Sequence, residues 1–157
     1  MPGFKRIIVE NCYQKNKTQQ HICFRSNWEI SFANFLDSNR NVALWESDFR
    51  IKYLDKFNPP PKIRTYLIDF KIQMTDGSIL LCEVKPLKDL EARVQTKSAR
   101  YKRIHTTNYL KNLSKFETVE IFCRKSGWKF FIVSKEEHHF RFYRWDIQNK
   151  RAIIVFS

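Results

Sequence analysis

Asp69, Glu83 and Lys85 interrupt two otherwise apolar runs in YLIDFKIQMTDGSILLCEVKP, residues 66 to 86. In a strand, residues two apart point the same way, so Glu83 and Lys85 share a face while Val84 points into the other layer. Thr75-Asp76-Gly77 is a strong hairpin signal, and Asp69 and Glu83 stand symmetrically about Asp76. A turn centred there makes the two carboxylates cross-strand neighbours. Adjacent carboxylates repel, so one takes up a proton unless a cation lies between them. A hard divalent ion suits the pair: Mg²⁺, with Mn²⁺ as a substitute, binds through one or two carboxylates and keeps waters as its other ligands. Lys85 beside it can orient or deprotonate the attacking water, or offset charge developing on phosphorus. This trio in a basic chain points to hydrolysis of phosphodiester bonds. Taken singly, each residue is more commonly a solvent-facing strand residue. The trio resists that reading, because LIDF and LLCEVKP carry apolar residues on both parities. That pattern predicts burial on both faces, where an unpaired carboxylate is costly.

The whole-chain charge agrees. Twenty-nine Lys and Arg face sixteen Asp and Glu in 157 residues, a net charge of +13 spread along the chain rather than held in a tail. The expected partner is a polyanion, DNA first, because each neutralised phosphate releases counterions. No membrane partner is expected: no apolar run approaches the roughly 20 residues that span a bilayer. The apolar stretch of the opening MPGFKRIIVE is too short for a signal peptide. Cys12, Cys23, Cys82 and Cys123 are dispersed, which reads as reduced thiols and an intracellular setting.

The elements that must position the trio follow from periodicity. A short strand at Lys5–Glu10 and a polar loop precede a helix, in which Ser26 is the N-cap and Trp28, Phe32, Phe35 and Leu36 form the apolar stripe. Ser26-x-x-Glu29 is a capping box, so Glu29 has a structural role available beside any chemical one. Short strands are expected at Val42–Trp45 and Asp48–Tyr53, a proline-rich loop at Lys56–Lys62, and the hairpin of Thr65–Gln73 with Ser78–Val84. A basic helix runs from Leu87 to about Leu113. Strands at Val119–Cys123 and Trp128–Val133 follow, giving a strand–helix–strand order that places a parallel pair in a mixed sheet. HHFRFYRW and AIIVF close the chain. Aromatics such as His139, Phe140, Phe142, Tyr143 and Trp145 can stack on unpaired bases, although core packing is the expected role for most of them.

Glu29 on the first helix, then Asp69 on a strand, then Glu83-Val84-Lys85 on its partner resembles the PD-(D/E)XK nuclease pattern. FRSNWE, YLIDFKI, GSILLCEVKP and GWKFFIVSKEE are similar to two groups within that superfamily: the head-completion nucleases of tailed phages and the transposon subunit that cuts the transposon end. The similarity spans about Phe24 to Glu137, and Ile68 stands where the named pattern has Pro. The resemblance implies that Asp69 and Glu83 bind the metal, with the Val84 carbonyl as a further ligand. Lys85 would be catalytic and Glu29 would complete the cluster directly or through water. Arg25, Lys88, Arg93, Lys97, Arg100 and Arg103 would contact nucleic acid, and Gln95 is an additional active-site residue to test.

The reading is therefore an α/β fold with a restriction-endonuclease-like core: a central mixed β-sheet flanked by helices. It forms one domain over residues 1–157, with a core of about 24–137 and a C-terminal extension of 138–157. The expected activity is Mg²⁺-dependent DNA endonuclease action in phage head completion and DNA-end processing. Phage head or portal proteins are expected partners, and the host cytoplasm or the virion the location; cutting both strands needs either a second copy of the chain or sequential nicking. Two alternatives are kept, a transposon-type end-cutting nuclease and a non-catalytic nucleic-acid-binding or virion-assembly module. The second leaves three polar residues in apolar strands unexplained.

Overall fold

The computed structural model describes residues 6–90 and 98–156. β1 (Ile7–Glu10) and β2 (His21–Phe24) form an antiparallel ribbon, followed by α1 (Asn27–Ser38). The main sheet holds β3 (Val42–Asp55), β4 (Lys62–Met74), β5 (Ile79–Val84), β6 (Lys129–Glu136), β7 (His139–Asp146) and β8 (Arg151–Phe156), in that spatial order. All neighbours are antiparallel except β5 and β6, which are parallel and joined through a 3-10 turn at Leu87–Leu90 and α2 (Ala99–Ser126). The mixed sheet flanked by helices is the one expected, and its topology is that of an α/β, restriction-endonuclease-like core.

Alternation along the central strands feeds two cores. Phe131 and Val133 of β6, with Cys82 and Val84 of β5, pack under α1 against Phe32, Ala33 and Leu36. Phe130, Ile132 and Leu81 pack under α2 against Leu113, Phe116, Val119 and Cys123. Apolar residues occur on both parities because β5 and β6 are covered on both faces.

Several expected elements differ. The basic helix expected from Leu87 to about Leu113 is a 3-10 turn at Leu87–Leu90 and, from Ala99, a helix that runs on to Ser126. Val42–Trp45 and Asp48–Tyr53 are parts of one strand, β3, which passes through Asp48 without losing register. Val119–Cys123 is helical: Phe116, Val119, Glu120 and Cys123 follow helical spacing and are buried, so packing on the sheet overrides the β preference of Val-Glu-Ile-Phe-Cys. Gly127 is accordingly not a hairpin turn but the C-cap of α2, at φ 72°. Residues 139–156, read as part of an extension, supply two more strands of the same sheet.

One irregularity bears on the site. Phe70 and Ile72 lie in the α1 core, yet Tyr66 and Ile68, of the same parity, lie in the α2 core. β3 does likewise, with Trp45 in the first core and Tyr53 in the second. The alternation slips at facing positions Asp48 and Asp69, between the pairs Ser47↔Phe70 and Phe49↔Ile68. Asp48 has φ 60°, a left-handed conformation that Asp tolerates better than most residues. Each strand therefore carries an acidic residue where it changes cores.

α2 is clamped to the sheet by charge as well as by packing. Glu120, 1% exposed, accepts from Arg144 of β7 at 2.8 Å and from Arg124 at 3.1 Å. Removing Arg144 leaves the buried carboxylate with Arg124 alone, so Arg144→Ala should lower stability by about 2–3 kcal/mol in urea unfolding. Glu120→Gln with Arg144→Met should recover part of that loss.

Candidate active site

The backbone ladder between β4 and β5 ends at Phe70↔Cys82. The same register places Asp69 opposite Glu83 at the next rung, where side chains take over. The Val84 N–H donates to Asp69 Oδ2 at 2.8 Å, and the Asp69 N–H donates to Glu83 Oε2 at 3.2 Å. The two carboxylates are thus neighbours, held by each other's strands.

Glu29 reaches the same place from α1. Ser26 Oγ accepts from the Glu29 N–H at 3.2 Å, while Glu29 Oε2 accepts from the Arg25 N–H at 3.1 Å. The capping box and the approach to the cleft are two uses of one side chain. Glu29, Asp69 and Glu83 are 6%, 6% and 4% exposed. They share a cleft of about 420 Å³ with Arg25, Tyr66, Lys85, Asp89 and Lys115.

Cations approach this cluster from two sides. Arg25 bonds Asp48 at 2.9 Å and lies 3.8 Å from Asp69, while Lys85 Nζ lies 3.6 Å from Glu83 Oε1. Three buried carboxylates nevertheless outnumber these two cations. Burial, then Glu83 and Glu29, hold the Asp69 carboxyl well above the usual carboxylate range. Burial first, opposed in part by Arg25, also raises Glu29. Burial lowers Lys85, but Glu83 and Asp69 outweigh it and the ammonium is held more tightly than usual. The Tyr66 hydroxyl is buried close to Glu83 and outside hydrogen-bonding geometry, and its pKa is pushed up by burial and then by Glu83.

Among the described residues, no three His, Cys, Asp or Glu side chains converge closely enough to cage a metal ion as they stand. The donor set still fits a hard divalent cation. Mg²⁺ takes one or two protein carboxylates and completes its shell with water, and excess buried negative charge is what such an ion neutralises.

Lys115 escaped the sequence reading. It comes from α2, and its ammonium lies 4.9 Å from the centroid of the Tyr66 ring. Burial, then Lys85, lowers its pKa. Asp48, which steadies Arg25, shows in the sequence only as the start of an alternating strand. Lys88, Arg100 and Arg103 are exposed, whereas Arg93, Gln95 and Lys97 lie outside the described residues. Of the terminal aromatics, Tyr143 and Trp145 are buried under α2, while Phe140 and Phe142 pack against the α1 core. His139 alone of that set is exposed.

A family model described as TnsA-like endonuclease N terminal matches residues 39–135, more than half of the chain. The chain belongs to this endonuclease family. The matched stretch of the TnsA-like domain contains Asp69, Glu83, Lys85 and Lys115, and it begins after Arg25 and Glu29. The head completion nuclease of Enterobacteria phage T4 is 29% identical over 135 residues, which are 82% of this chain and 89% of that protein. No solved structure matches.

Because Glu29 lies outside the matched stretch of this TnsA-like chain, its two uses need separating. Glu29→Gln keeps an acceptor for the Arg25 N–H and should leave the melting temperature within about 2 °C. It should slow DNA cutting by about tenfold or more, measured as plasmid nicking under single-turnover conditions.

Proposed function

We propose that this protein is a divalent-metal-dependent endonuclease that hydrolyses DNA phosphodiester bonds and processes packaged DNA ends in phage head completion. The observation that carries the chemistry is the Asp69–Glu83 rung, where two buried carboxylates replace ladder carbonyls beside Lys85. Coverage of 89% of a phage head completion nuclease supports the biological setting.

Asp69 and Glu83 hold the metal, with the Val84 carbonyl and Glu29 as further donors. When bound, the cation supplies Lewis acidity toward a phosphoryl oxygen and toward water. Lys85 and Lys115 stabilise charge developing on the phosphate oxygens. Arg25, held by Asp48, faces the same cleft, and the exposed Lys88, Arg100 and Arg103 contact phosphates further away. Residues 1–157 act as one nuclease unit. Head or portal proteins deliver the DNA end, and a second copy or a second nick completes a double-strand cut.

The family match favours a second setting, cutting at a transposon end. Both settings require the same site. Purified protein incubated with supercoiled plasmid and Mg²⁺, Mn²⁺ or EDTA tests it: cutting in both metals and none in EDTA is expected. DNA binding with no cutting in any metal would leave a non-catalytic assembly module.

A further inference from the structure

A second cleft, of about 370 Å³, opens beside the first, and the two share Lys85, Asp89 and Lys115 as common walls. Its far side is the first half of α2, which contributes Tyr101, Asn108, Tyr109 and Lys111. The character of the lining changes from one cleft to the other. The first is acidic, whereas the second sets the rings of Tyr101, His105 and Tyr109 and the amides of Asn108 and Asn112 beside three ammonium groups and the Asp89 carboxylate. Tyr101 is 47% exposed, so its ring is not spent on the core.

A duplex backbone presents sugars and phosphates to a protein surface. Lysines, side-chain amides and tyrosine hydroxyls satisfy those, but an open aromatic face has no use for them. Such a face matches an unpaired base, whose ring stacks on a tyrosine and whose edge takes hydrogen bonds. Lys111 and Lys115 line the same cleft and can supply counter-charge to the phosphates on either side of such a base. A strand leading from the acidic cleft past Lys85 and Lys115 therefore enters the aromatic cleft with its next nucleotide.

We infer that the cleft between the 3-10 turn and α2 is a subsite for one unpaired nucleotide flanking the scissile phosphate, so that the substrate class is DNA with a single-stranded or frayed end at the cut. This rests on the endonuclease reading above and names its substrate. Stacking on bases, considered in the sequence for the terminal HHFRFYRW cluster, is assigned instead to Tyr101 and Tyr109.

The test is a binding measurement without catalysis. In EDTA, fluorescence anisotropy compares the full chain on a blunt duplex, the same duplex with a short single-stranded overhang, and an overhang made abasic next to the junction. Wild type is expected to bind the overhang about tenfold more tightly than the blunt duplex, a preference that the abasic site removes. Tyr101→Ala, at an exposed position, should bring the overhang-to-blunt ratio close to one, with the abasic site causing no further loss. Tyr109→Ala, checked for an unchanged melting profile, should do the same. Equal binding of overhang and blunt DNA by wild type overturns the subsite and leaves the endonuclease intact. An overhang preference that survives Tyr101→Ala, or that ignores the abasic site, places base recognition elsewhere and also overturns it. Absence of binding to every DNA, in EDTA and again with Ca²⁺ in place of Mg²⁺, overturns the endonuclease reading itself.

Discussion

Glu83→Gln is expected to slow DNA cutting by on the order of 10³-fold while leaving the mobility shift on DNA in place. Gln retains an oxygen for the Asp69 N–H, which Glu83 now accepts at 3.2 Å, so the rung should survive and the loss will report charge. Lys85, 3.6 Å from the same carboxylate, is proposed to serve the same step. Lys85→Ala should therefore cost a similar factor, and the double variant little more than either single one, because groups that act as a unit are not additive. Initial nicking rates of supercoiled plasmid at saturating metal measure all three. Additive losses would mean that Glu83 and Lys85 serve different steps, and undiminished cutting would place the chemistry elsewhere.

The second large effect is on stability. Asp69→Asn should stabilise the metal-free protein at neutral pH, by roughly 1–2 kcal/mol, while abolishing cutting. The sign follows from the direction of the shift. The Asp69 carboxyl is held above its ordinary value of 3.8 by burial and then by Glu83 and Glu29. A group raised in the folded state contributes stability that is complete below its unfolded pKa and lost as pH rises through the folded one. The advantage of Asn over Asp should therefore be small near pH 4 and grow with pH in EDTA. Comparing the two proteins at each pH cancels the general charge repulsion of a chain at +13. Added Mg²⁺ should reverse the order, stabilising wild type by mass action and the variant little. Chemical denaturation across pH, with and without metal, checks each part. A gap that stays constant with pH would show that Asp69 is not the strained ionisation.

Much of this site could be read before any fold was known, because its parts are local. Ser26 and Glu29 announce a helix start, and the hairpin register turns on Asp76, which makes Asp69 and Glu83 partners by symmetry. The apolar residues on both parities of LLCEVKP correctly required two covered faces. What escaped depends on distant contacts. Val119–Cys123 has the composition of a strand and was made helical by docking Phe116, Val119 and Cys123 on the sheet. β3 runs through Asp48 because one left-handed residue absorbs a change of core, an event with no periodic signature. Lys115 reaches the cleft from a helix thirty residues beyond Lys85, a separation that encodes nothing until the strand–helix–strand crossover is laid down.

The Asp69–Val84 hydrogen bond makes one backbone amide a gauge of the site. Val84 N–H bonds to a carboxylate oxygen where its neighbours in the ladder bond to carbonyls, so its chemical shift follows whatever happens to that carboxylate. Proton uptake, metal entry or the departure of Arg25 each alters the acceptor's charge without moving a strand. In a nitrogen-15 spectrum, this resonance should travel with magnesium concentration, as should those of Asp69 and Arg25, which bond the other two carboxylates, while amides deeper in β5 stay still. The protein thus carries an internal titration signal at its candidate active site, readable with no substrate present and no label beyond the isotope.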